Sequence, residues 1–387
     1  INRAHKEIVG QVEKTDYFWY LVPDDLNYYV DFLIPENKLN GAKPGDKVSA
    51  KFIDWADPQT SPSAEVISII GKSGIPNVEY DSVLHEFDLP FEFPQSVIDE
   101  ALKFKKPANR KPAGRVDLRN EDIITIDPVD ARDYDDALSL KFLENGNFQL
   151  GVHIADVSHY VVENSELDIE ARFRGNSIYL VDRVIPMLPE ELSNVICSLQ
   201  PNEPRLAFSV FMEISPRGTL KNWELAETII KSKRRFTYEE VLEIINSGEG
   251  DFSELILNLD KLAKILKKKR YAGGGIEFET SEVKFKLDEN KYPIEIMLKT
   301  TTDSTSLVEE CMLIANQAVA MQLKKISKEL KAANDLPFLF RVHDEPDKKK
   351  LSESLEFLAG LGIKSAKKNL SSKEINNLLQ EANKLPE

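Results

Sequence analysis

In the stretch Ile123-Ile-Thr-Ile-Asp127-Pro-Val-Asp130-Ala-Arg-Asp133-Tyr-Asp135-Asp136-Ala-Leu-Ser-Leu140, five aspartates lie between two apolar runs. The first run is rich in β-branched residues and the second alternates, so both predict strands, joined by a turn that contains proline. Carboxylates this close together repel one another unless a cation or solvent lies among them. Oxygen ligands on an irregular loop suit Mg²⁺, which prefers carboxylates, water and substrate phosphates. The stretch therefore predicts a magnesium site able to support phosphodiester hydrolysis.

Two other interpretations of this stretch stay open. An EF-hand calcium loop that starts at Asp133 would have Asp135 at its third position and Glu144 at its twelfth. It would also need glycine at the sixth position, where Leu138 stands, and a helix on each side. The second interpretation is a solvated acidic turn that binds no ion.

Residues 1–75 contain five short apolar runs separated by turn-forming residues. Five short strands in this length favour a small closed β-barrel of the oligonucleotide-binding type. Phe18, Trp19 and Tyr20 could stack on bases. The alternative is that part of this aromatic strand faces the core of the barrel.

Residues 76–115 are predicted to be a linker, because five prolines interrupt them and only Gln95–Lys106 has the pattern of a short helix. Within 103–115 there are six basic residues and no acidic ones. This run is either a solvated linker or a strip that contacts phosphates. Residues 116–387 mix strand and helix patterns, which predicts one larger α/β domain. Its predicted helices include one around Leu255–Leu266, a buried one at Leu307–Leu323 and a last one at Ser372–Ala382.

The overall composition limits the possible classes of protein. With 42% hydrophobic residues the chain is too apolar to be a disordered acidic tail. The chain has 50 Lys and Arg against 65 Asp and Glu, a net charge of -15. This balance argues against a DNA-wrapping protein whose whole surface is basic, as in histones, but it allows a local basic groove. Two cysteines cannot make a disulfide framework, and no run has the roughly 18 apolar residues of a membrane span. We therefore expect a cytoplasmic protein with no disulfide partner and no membrane partner, and, because the chain starts at Ile1, a piece of something longer.

Several sequence blocks, in a constant order, resemble the ribonuclease II / ribonuclease R family of exoribonucleases. The aspartate stretch resembles the family signature, and the likeness continues on both sides of it. The other blocks begin at Gly114-Arg-Val-Asp, Val152-His-Ile-Ala-Asp, Ser177-Ile-Tyr-Leu, Leu307-Val-Glu-Glu and Pro337-Phe-Leu-Phe-Arg. Ribonuclease R is the closer match, since a cold-shock-type domain precedes its catalytic domain.

The resemblance implies a fold and an activity. The fold is a cold-shock barrel of the oligonucleotide-binding type over residues 1–75, then a linker over 76–115, then an RNB catalytic domain over 116–387 that is incomplete at its C-terminus. The activity is hydrolytic, processive degradation of single-stranded RNA from its 3′ end to nucleoside 5′-monophosphates, with Mg²⁺ as cofactor. The family's later Ser-Pro-Ile-Arg-Arg-Tyr stretch and S1 domain do not occur before Glu387. The resemblance therefore implies that this chain is a fragment lacking an arginine that contacts the scissile phosphate.

The resemblance also implies roles for single residues. By motif position, the metal-binding and catalytic aspartates are Asp127, Asp133, Asp135 and Asp136. Tyr179 and Phe278 would clamp the terminal nucleotides, and Tyr238 and Glu309 would sense the ribose.

From the residues alone, other roles stay open for these four RNA-contacting positions. A tyrosine in an apolar stretch also fits a core, and Glu309 follows Ser306 at the spacing of a helix capping box. The alternative to an enzyme is a non-catalytic RNA-binding or scaffold protein that kept the fold. Loss of one of the four aspartates would favour that alternative, and none is lost.

Overall fold

The computed structural model describes residues 7–57, 59–106, 113–276, 282–330, 336, 347–363 and 370–382. Over these ranges no helix has both the length and the apolar character needed to cross a bilayer.

The elements are numbered in chain order. The strands are β1 Glu7–Lys14, β2 Trp19–Pro23, β3 Phe32–Ile34, β4 Asp46–Asp54, β5 Ser63–Lys72, β6 Val116–Leu118, β7 Ile124–Asp127, β8 Asp136–Phe142, β9 Phe148–Ala155, β10 Ile178–Tyr179, β11 Val184–Ile185, β12 Pro204–Ile214, β13 Leu220–Lys231, β14 Arg234–Thr237, β15 Glu282–Leu287 and β16 Pro293–Lys299. The helices are α1 Pro76–Glu86, α2 Gln95–Ala101, α3 Glu166–Arg174, α4 Tyr238–Ser247, α5 Ser253–Ala272, α6 Asp303–Glu329, α7 Lys348–Gly360 and α8 Ser372–Ala382.

The chain divides into two compact units, and neither is one continuous segment. The first unit comprises Ile1–Lys103, Val161–Glu190 and Glu282–Lys299. The second comprises Phe104–Tyr160, Glu191–Ser281 and Thr300–Glu387. The proposed domain boundaries at 75 and 115 stay a prediction.

The first unit contains a closed barrel with the strand order β1-β2-β3-β5-β4. Its interior is lined by apolar side chains that alternate along the strands, among them Val12, Leu21 and Val48, each of which is fully buried. This alternation is the period of two that a sheet requires. The predicted small barrel of the oligonucleotide-binding type is confirmed. In the aromatic strand Phe18 is 52% exposed, whereas Trp19 packs against the barrel core.

The segment after the barrel is more helical than its prolines suggested. α1 begins at Pro76, which occupies the first turn of the helix, where its missing N–H costs nothing. The predicted helix at Gln95–Lys106 is wrong in its end, because α2 stops at Ala101. Lys106 precedes a proline, a position that disfavours the helical conformation, but the helix already ends five residues before it.

The second unit is built on a seven-stranded sheet with the order β14-β7-β8-β9-β12-β13-β6. The outer pairs β14–β7 and β13–β6 are parallel, and the pairs between them are antiparallel. β7 is buried along its whole length. Its Ile124 and Ile126 side chains belong to one apolar cluster with residues of α4, α5 and α6. The larger mixed α/β region is thereby confirmed, as are the predicted helices in α5, α6 and α8.

Candidate metal centre

The sheet places the aspartate stretch at one end of two neighbouring strands. Asp127 is the last residue of β7 and Asp136 is the first residue of β8, and we call residues 128–135 between them the acidic loop. Asp127 lies opposite Thr237 in the parallel pairing with β14. Asp136 lies opposite Ile154 in the antiparallel pairing with β9. Because strands flank the loop on both sides, the EF-hand interpretation is wrong.

Asp127 is the most deeply buried carboxylate of the stretch. Only 6% of the residue is exposed, and its Oδ2 atom is buried without a hydrogen-bond partner among the described residues. Burial, followed by the charge of Asp136, raises the pKa of Asp127 to about 7. A buried carboxylate oxygen left unpaired is costly, so this atom needs a proton or a cation.

The neighbouring aspartates form one electrostatic cluster with Asp127. Burial raises the pKa of Asp136 to about 6. Burial of its carboxyl and then the charges of Asp133 and Asp136 raise the pKa of Asp135 to about 6, although much of that residue faces solvent. Shared repulsion of this kind is the expected result when carboxylates occupy one site. The structure thus brings Asp127, Asp135 and Asp136 together, with Asp133 beside Asp135.

The donor set suits a hard divalent cation. Within the described ranges, no three His, Cys, Asp or Glu side chains already stand as a metal-binding group. Mg²⁺ does not require such a cage, because one or two carboxylates with waters and substrate phosphates usually complete its shell. The unpaired Asp127 Oδ2 and the raised pKa of Asp136 fit this mode, since a cation between them would relieve both the burial cost and the repulsion.

The far end of the acidic loop is held by a serine from a distant segment. Ser198 Oγ accepts a hydrogen bond from the Tyr134 N–H at 3.0 Å and donates one to the Arg132 carbonyl at 3.0 Å. The Leu199 N–H donates to the Tyr134 carbonyl at 2.8 Å. Arg205, which is 1% exposed, donates to the Ser198 carbonyl at 2.9 Å and so fixes this segment in turn.

The sheet beneath the site contains a neutral histidine. His153 of β9 is fully buried, and its ring nitrogens lie 3.0 Å from Ser139 Oγ and 2.7 Å from Ser209 Oγ. Burial lowers the pKa of His153 to about 3. Gly151 makes room for this ring, because a Cβ there would lie 2.9 Å from His153 Nε2. The residue supports the sheet and is not a ligand.

Tyr238, one of the predicted ribose sensors, lies beside the carboxylates. It is the first residue of α4, which the N-cap Thr237 joins to the end of β14. Burial and then the charges of Asp136 and Asp127 raise the pKa of Tyr238 to about 12. A tyrosine hydroxyl is protonated at neutral pH in any case, and this shift keeps it so, which leaves it able to donate a hydrogen bond.

Glu309, the other predicted ribose sensor, lies in the second unit on α6. The capping-box interpretation of Ser306 and Glu309 is wrong, because α6 begins at Asp303 and Thr302 caps it. Glu309 is instead half-exposed and lies 3.3 Å from Arg270 of α5, which also bonds the buried Glu310 at 2.5 Å.

Of the two aromatic residues predicted to clamp nucleotides, the structure describes one. Tyr179 lies in the first unit, on the short hairpin of β10 and β11, and is 72% exposed. Asp182 in the turn of this hairpin accepts hydrogen bonds from Arg183 Nε at 2.7 Å and Lys291 Nζ at 3.2 Å, which anchor the turn. Phe278 lies outside the described residues.

Two residues that hold the acidic loop were not singled out in the sequence. Ser198 follows the π-helix at Glu191–Cys197, and Arg235, which donates a hydrogen bond to the Pro128 carbonyl, lies in β14 three residues before Tyr238. Neither belongs to a motif whose spacing points to the aspartates. Only the pairing of distant segments could reveal them.

Comparison with known proteins gives matches over both parts of the chain. Residues 115–387 match the family described as the RNB domain, and residues 20–94 match the cold shock domain. The chain is 41% identical over 374 residues to ribonuclease R of Thermotoga maritima, covering 94% of this chain and 52% of that protein. It is 36% identical over 366 residues to ribonuclease R of Escherichia coli, covering 92% and 44%. The chain thus spans about half the length of the curated relatives it matches.

Solved structures with the same fold include one with RNA. The RNase R of Mycoplasma genitalium in complex with ribose methylated single-stranded RNA superposes with a TM-score of 0.89 at 28% identity, covering 100% of this chain and 61% of that chain. The yeast pseudonuclease Ssd1 superposes with a TM-score of 0.69 at 17% identity, covering 98% and 47%, which is a likeness of fold alone. Since a pseudonuclease has this fold, function has to be argued from the site.

Proposed function

Because this chain belongs to the RNB-domain family, we propose that the protein it forms part of is a hydrolytic 3′-to-5′ exoribonuclease. The proposal assigns the metal-binding and catalytic roles to Asp127, Asp133, Asp135 and Asp136. Supporting it are the RNB match over residues 115–387 and the identity to two ribonucleases R. All four aspartates are present in this sequence.

The single observation that carries the catalytic assignment is the buried, unpaired Oδ2 atom of Asp127 beside Asp136. A pseudonuclease has no need to keep several carboxylates at the cost of burial and mutual repulsion. A metal-dependent nuclease needs them in this state, because anionic oxygens with few protein partners are free to bind a cation. The site therefore favours catalysis over a scaffold role.

In the proposed mechanism, Asp127 and Asp136 would hold Mg²⁺, with Asp133 and Asp135 at the exposed side of the cluster. Bound Mg²⁺ supplies activation of water and stabilisation of charge on the phosphate oxygens. The carboxylates would hold the cation, since they cannot themselves bind an anionic phosphate, and Asp135, which solvent reaches, can accept a proton from the attacking water. The protonated Tyr238 hydroxyl can donate a hydrogen bond to the substrate.

For RNA recognition we propose the roles implied by the motifs. Tyr179, with its ring exposed, and Phe278 would stack on the terminal bases, which gives about 1–3 kcal/mol per base without sequence preference. Tyr238 and Glu309 would contact the ribose, because the 2′-hydroxyl is the group that distinguishes RNA from DNA. The substrate would be the 3′ end of single-stranded RNA, and the products nucleoside 5′-monophosphates released processively. A cytoplasmic location likewise stays a prediction, and the two buried free cysteines agree with a reducing compartment.

The test is degradation of a 5′-labelled oligoribonucleotide by the full-length protein, with this chain alone assayed in parallel. We expect a ladder shortened from the 3′ end in Mg²⁺, none in EDTA, and little cleavage of the matching DNA. An intact oligoribonucleotide in Mg²⁺ with the full-length protein would refute the enzymatic proposal and leave the scaffold role. If the full-length protein cleaves RNA and this chain does not, residues outside this chain are also needed for activity.

A further inference from the structure

Arg235 contacts both ends of the acidic loop. It lies in β14 opposite Thr125 of β7, two residues before Asp127. Its Nη2 atom donates a hydrogen bond to the carbonyl of Pro128, the first residue of the loop. Its guanidinium also lies 5.5 Å from the centre of the Tyr134 ring, next to the last residue of the loop.

These contacts complement the hold that Ser198 has on the loop. Ser198 bonds the backbone at Arg132 and Tyr134, whereas Arg235 bonds the backbone at Pro128. Inside the loop the Ala131 N–H donates a hydrogen bond to the Pro128 carbonyl, and at its far end the N–H groups of Leu199 and Ala155 donate to the carbonyls of Tyr134 and Asp135. Several of the loop's hydrogen bonds thus come from other segments, and its conformation depends on those contacts.

The charge of Arg235 suits the same role. A guanidinium near Asp127 offsets part of the repulsion among the carboxylates before any cation arrives. Its Nε atom is buried and has no partner among the described residues, so this side chain is held there although its bonding is incomplete. A buried polar atom left unpaired in this way calls for an explanation.

We propose that Arg235 is a positioning residue that holds the acidic loop in the conformation in which its aspartates can bind a divalent cation. It touches neither the reacting atoms nor the cation, and it acts through Pro128 and Tyr134. The link to a cation rests on the proposed function, whereas the hold on the loop rests only on the contacts above.

An arginine is needed for this role, because its planar guanidinium can bond a carbonyl along one edge and lie over an aromatic ring with its face. Lysine keeps the charge but has no planar group. Arg235→Lys therefore separates positioning from charge, and Arg235→Gln removes both. The matched control is Arg234→Gln, because Arg234 is the neighbouring residue of the same strand and bonds Glu240 and Asp251 instead of the loop.

The first measurement is amide hydrogen exchange of peptides covering 128–135 in EDTA, on full-length protein whose thermal unfolding confirms that each variant is folded. We expect Arg235→Gln and Arg235→Lys to exchange at least about tenfold faster in this loop, and Arg234→Gln to match the wild type. Unchanged exchange in Arg235→Gln would overturn the proposal. So would wild-type exchange in Arg235→Lys, which would mean that charge alone matters, or equal acceleration in Arg234→Gln, which would mean a general loosening of β14.

The second measurement is the affinity for Mn²⁺, used as a probe of the cation site, by titration calorimetry without RNA. Residues that orient metal ligands typically change metal affinity by about 10–100-fold, and we expect a loss in this range for Arg235→Gln and a smaller one for Arg235→Lys. An unchanged affinity together with faster exchange would overturn the cation-binding part of the proposal. If the wild type binds Mn²⁺ but leaves RNA intact, the proposed function fails while the role of Arg235 stands.

Discussion

Asp127 and Thr237 lie opposite one another in the parallel pairing of β7 and β14. Asp127 ends its strand as the buried carboxylate of the site, and Thr237 is the N-cap of α4. The N-terminus of a helix carries a partial positive charge. The register of β7 against β14 therefore places the aspartate cluster near the positive N-terminus of α4. The same register places Tyr238, the first residue of α4, beside the aspartates.

Asp135→Asn in the full-length protein should abolish hydrolysis and leave RNA binding in place. The substitution keeps the shape of the side chain but removes the charge that would bind cation or accept a proton, so we expect kcat to fall by about 10³-fold or more. Steady-state cleavage of labelled RNA measures kcat, and fluorescence anisotropy in EDTA measures the Kd. Asp130→Asn, in the same loop but outside the assigned set, is the control and should retain activity. Unchanged turnover in Asp135→Asn contradicts the assignment.

The metal-free protein should lose stability as the pH rises from about 4 to about 7. The pKa of Asp127 is raised in the fold to about 7, so the folded state holds a proton there that the unfolded state has released. The unfolded state binds fewer protons in this window, so stability falls with rising pH, by on the order of 4 kcal/mol for a shift of this size. Urea unfolding in EDTA at pH 4 and pH 7.5 measures this loss.

Asp127→Asn should reduce that pH dependence, because asparagine does not titrate. The matched control is Asp122→Asn, an exposed aspartate ahead of the same strand, which should behave as the wild type. Saturating Mg²⁺ should also restore stability at pH 7.5 in the wild type, since a ligand of the folded state stabilises it. Equal slopes for Asp127→Asn and the wild type would mean that this carboxylate is not buried as described.

His153 should have the opposite effect at acid pH. Its pKa is lowered in the fold to about 3, so below the ordinary value near 6.5 the unfolded state takes up a proton that the folded state refuses. Stability should therefore fall as the pH drops through this window, by up to about 1.4 kcal/mol per pH unit. His153→Gln should flatten the slope between pH 6.5 and 4.5 whatever its effect at neutral pH. An unaltered acid slope in His153→Gln would contradict this account.

Tyr238→Phe should reduce the preference for RNA over DNA. The substitution removes only the hydroxyl, which is protonated at neutral pH as in any tyrosine and whose pKa burial raises further, to about 12. Loss of one hydrogen bond to the ribose is worth about 1.4 kcal/mol, a tenfold fall in the ratio of kcat/KM for RNA to that for DNA.

Tyr160→Phe is the control for this measurement. Its hydroxyl is buried without a partner among the described residues, so the same deletion should leave the ratio unchanged and cost no stability. A wild-type ratio in Tyr238→Phe would remove this residue from sugar selection.

Local patterns located the five barrel strands, the strands on both sides of the acidic loop and the helices α2, α5, α6 and α8, but not the remaining elements. The barrel strands follow from alternation and turn residues, and α5 follows from apolar spacing, because both signals lie within a few neighbouring residues. α1 was missed because its proline was interpreted as a breaker, whereas the first turn of a helix accepts one. Glu309 was assigned a possible cap by spacing alone, but the packing of α5 against α6 gives it Arg270 as a partner.

By itself, the sequence determined that five aspartates would lie at or between the ends of two strands, because they are neighbours along the chain. Tertiary structure alone decided which of these carboxylates would be buried away from water. Asp127 is buried by its pairing with β14, and the contact of Arg235 with Pro128 spans 107 residues. Ser198 reaches Arg132 across 66 residues. Desolvation and charge depend on every group nearby in space, so the burial and the pKa of Asp127 could not be predicted from a stretch of sequence, whereas its position in that stretch could.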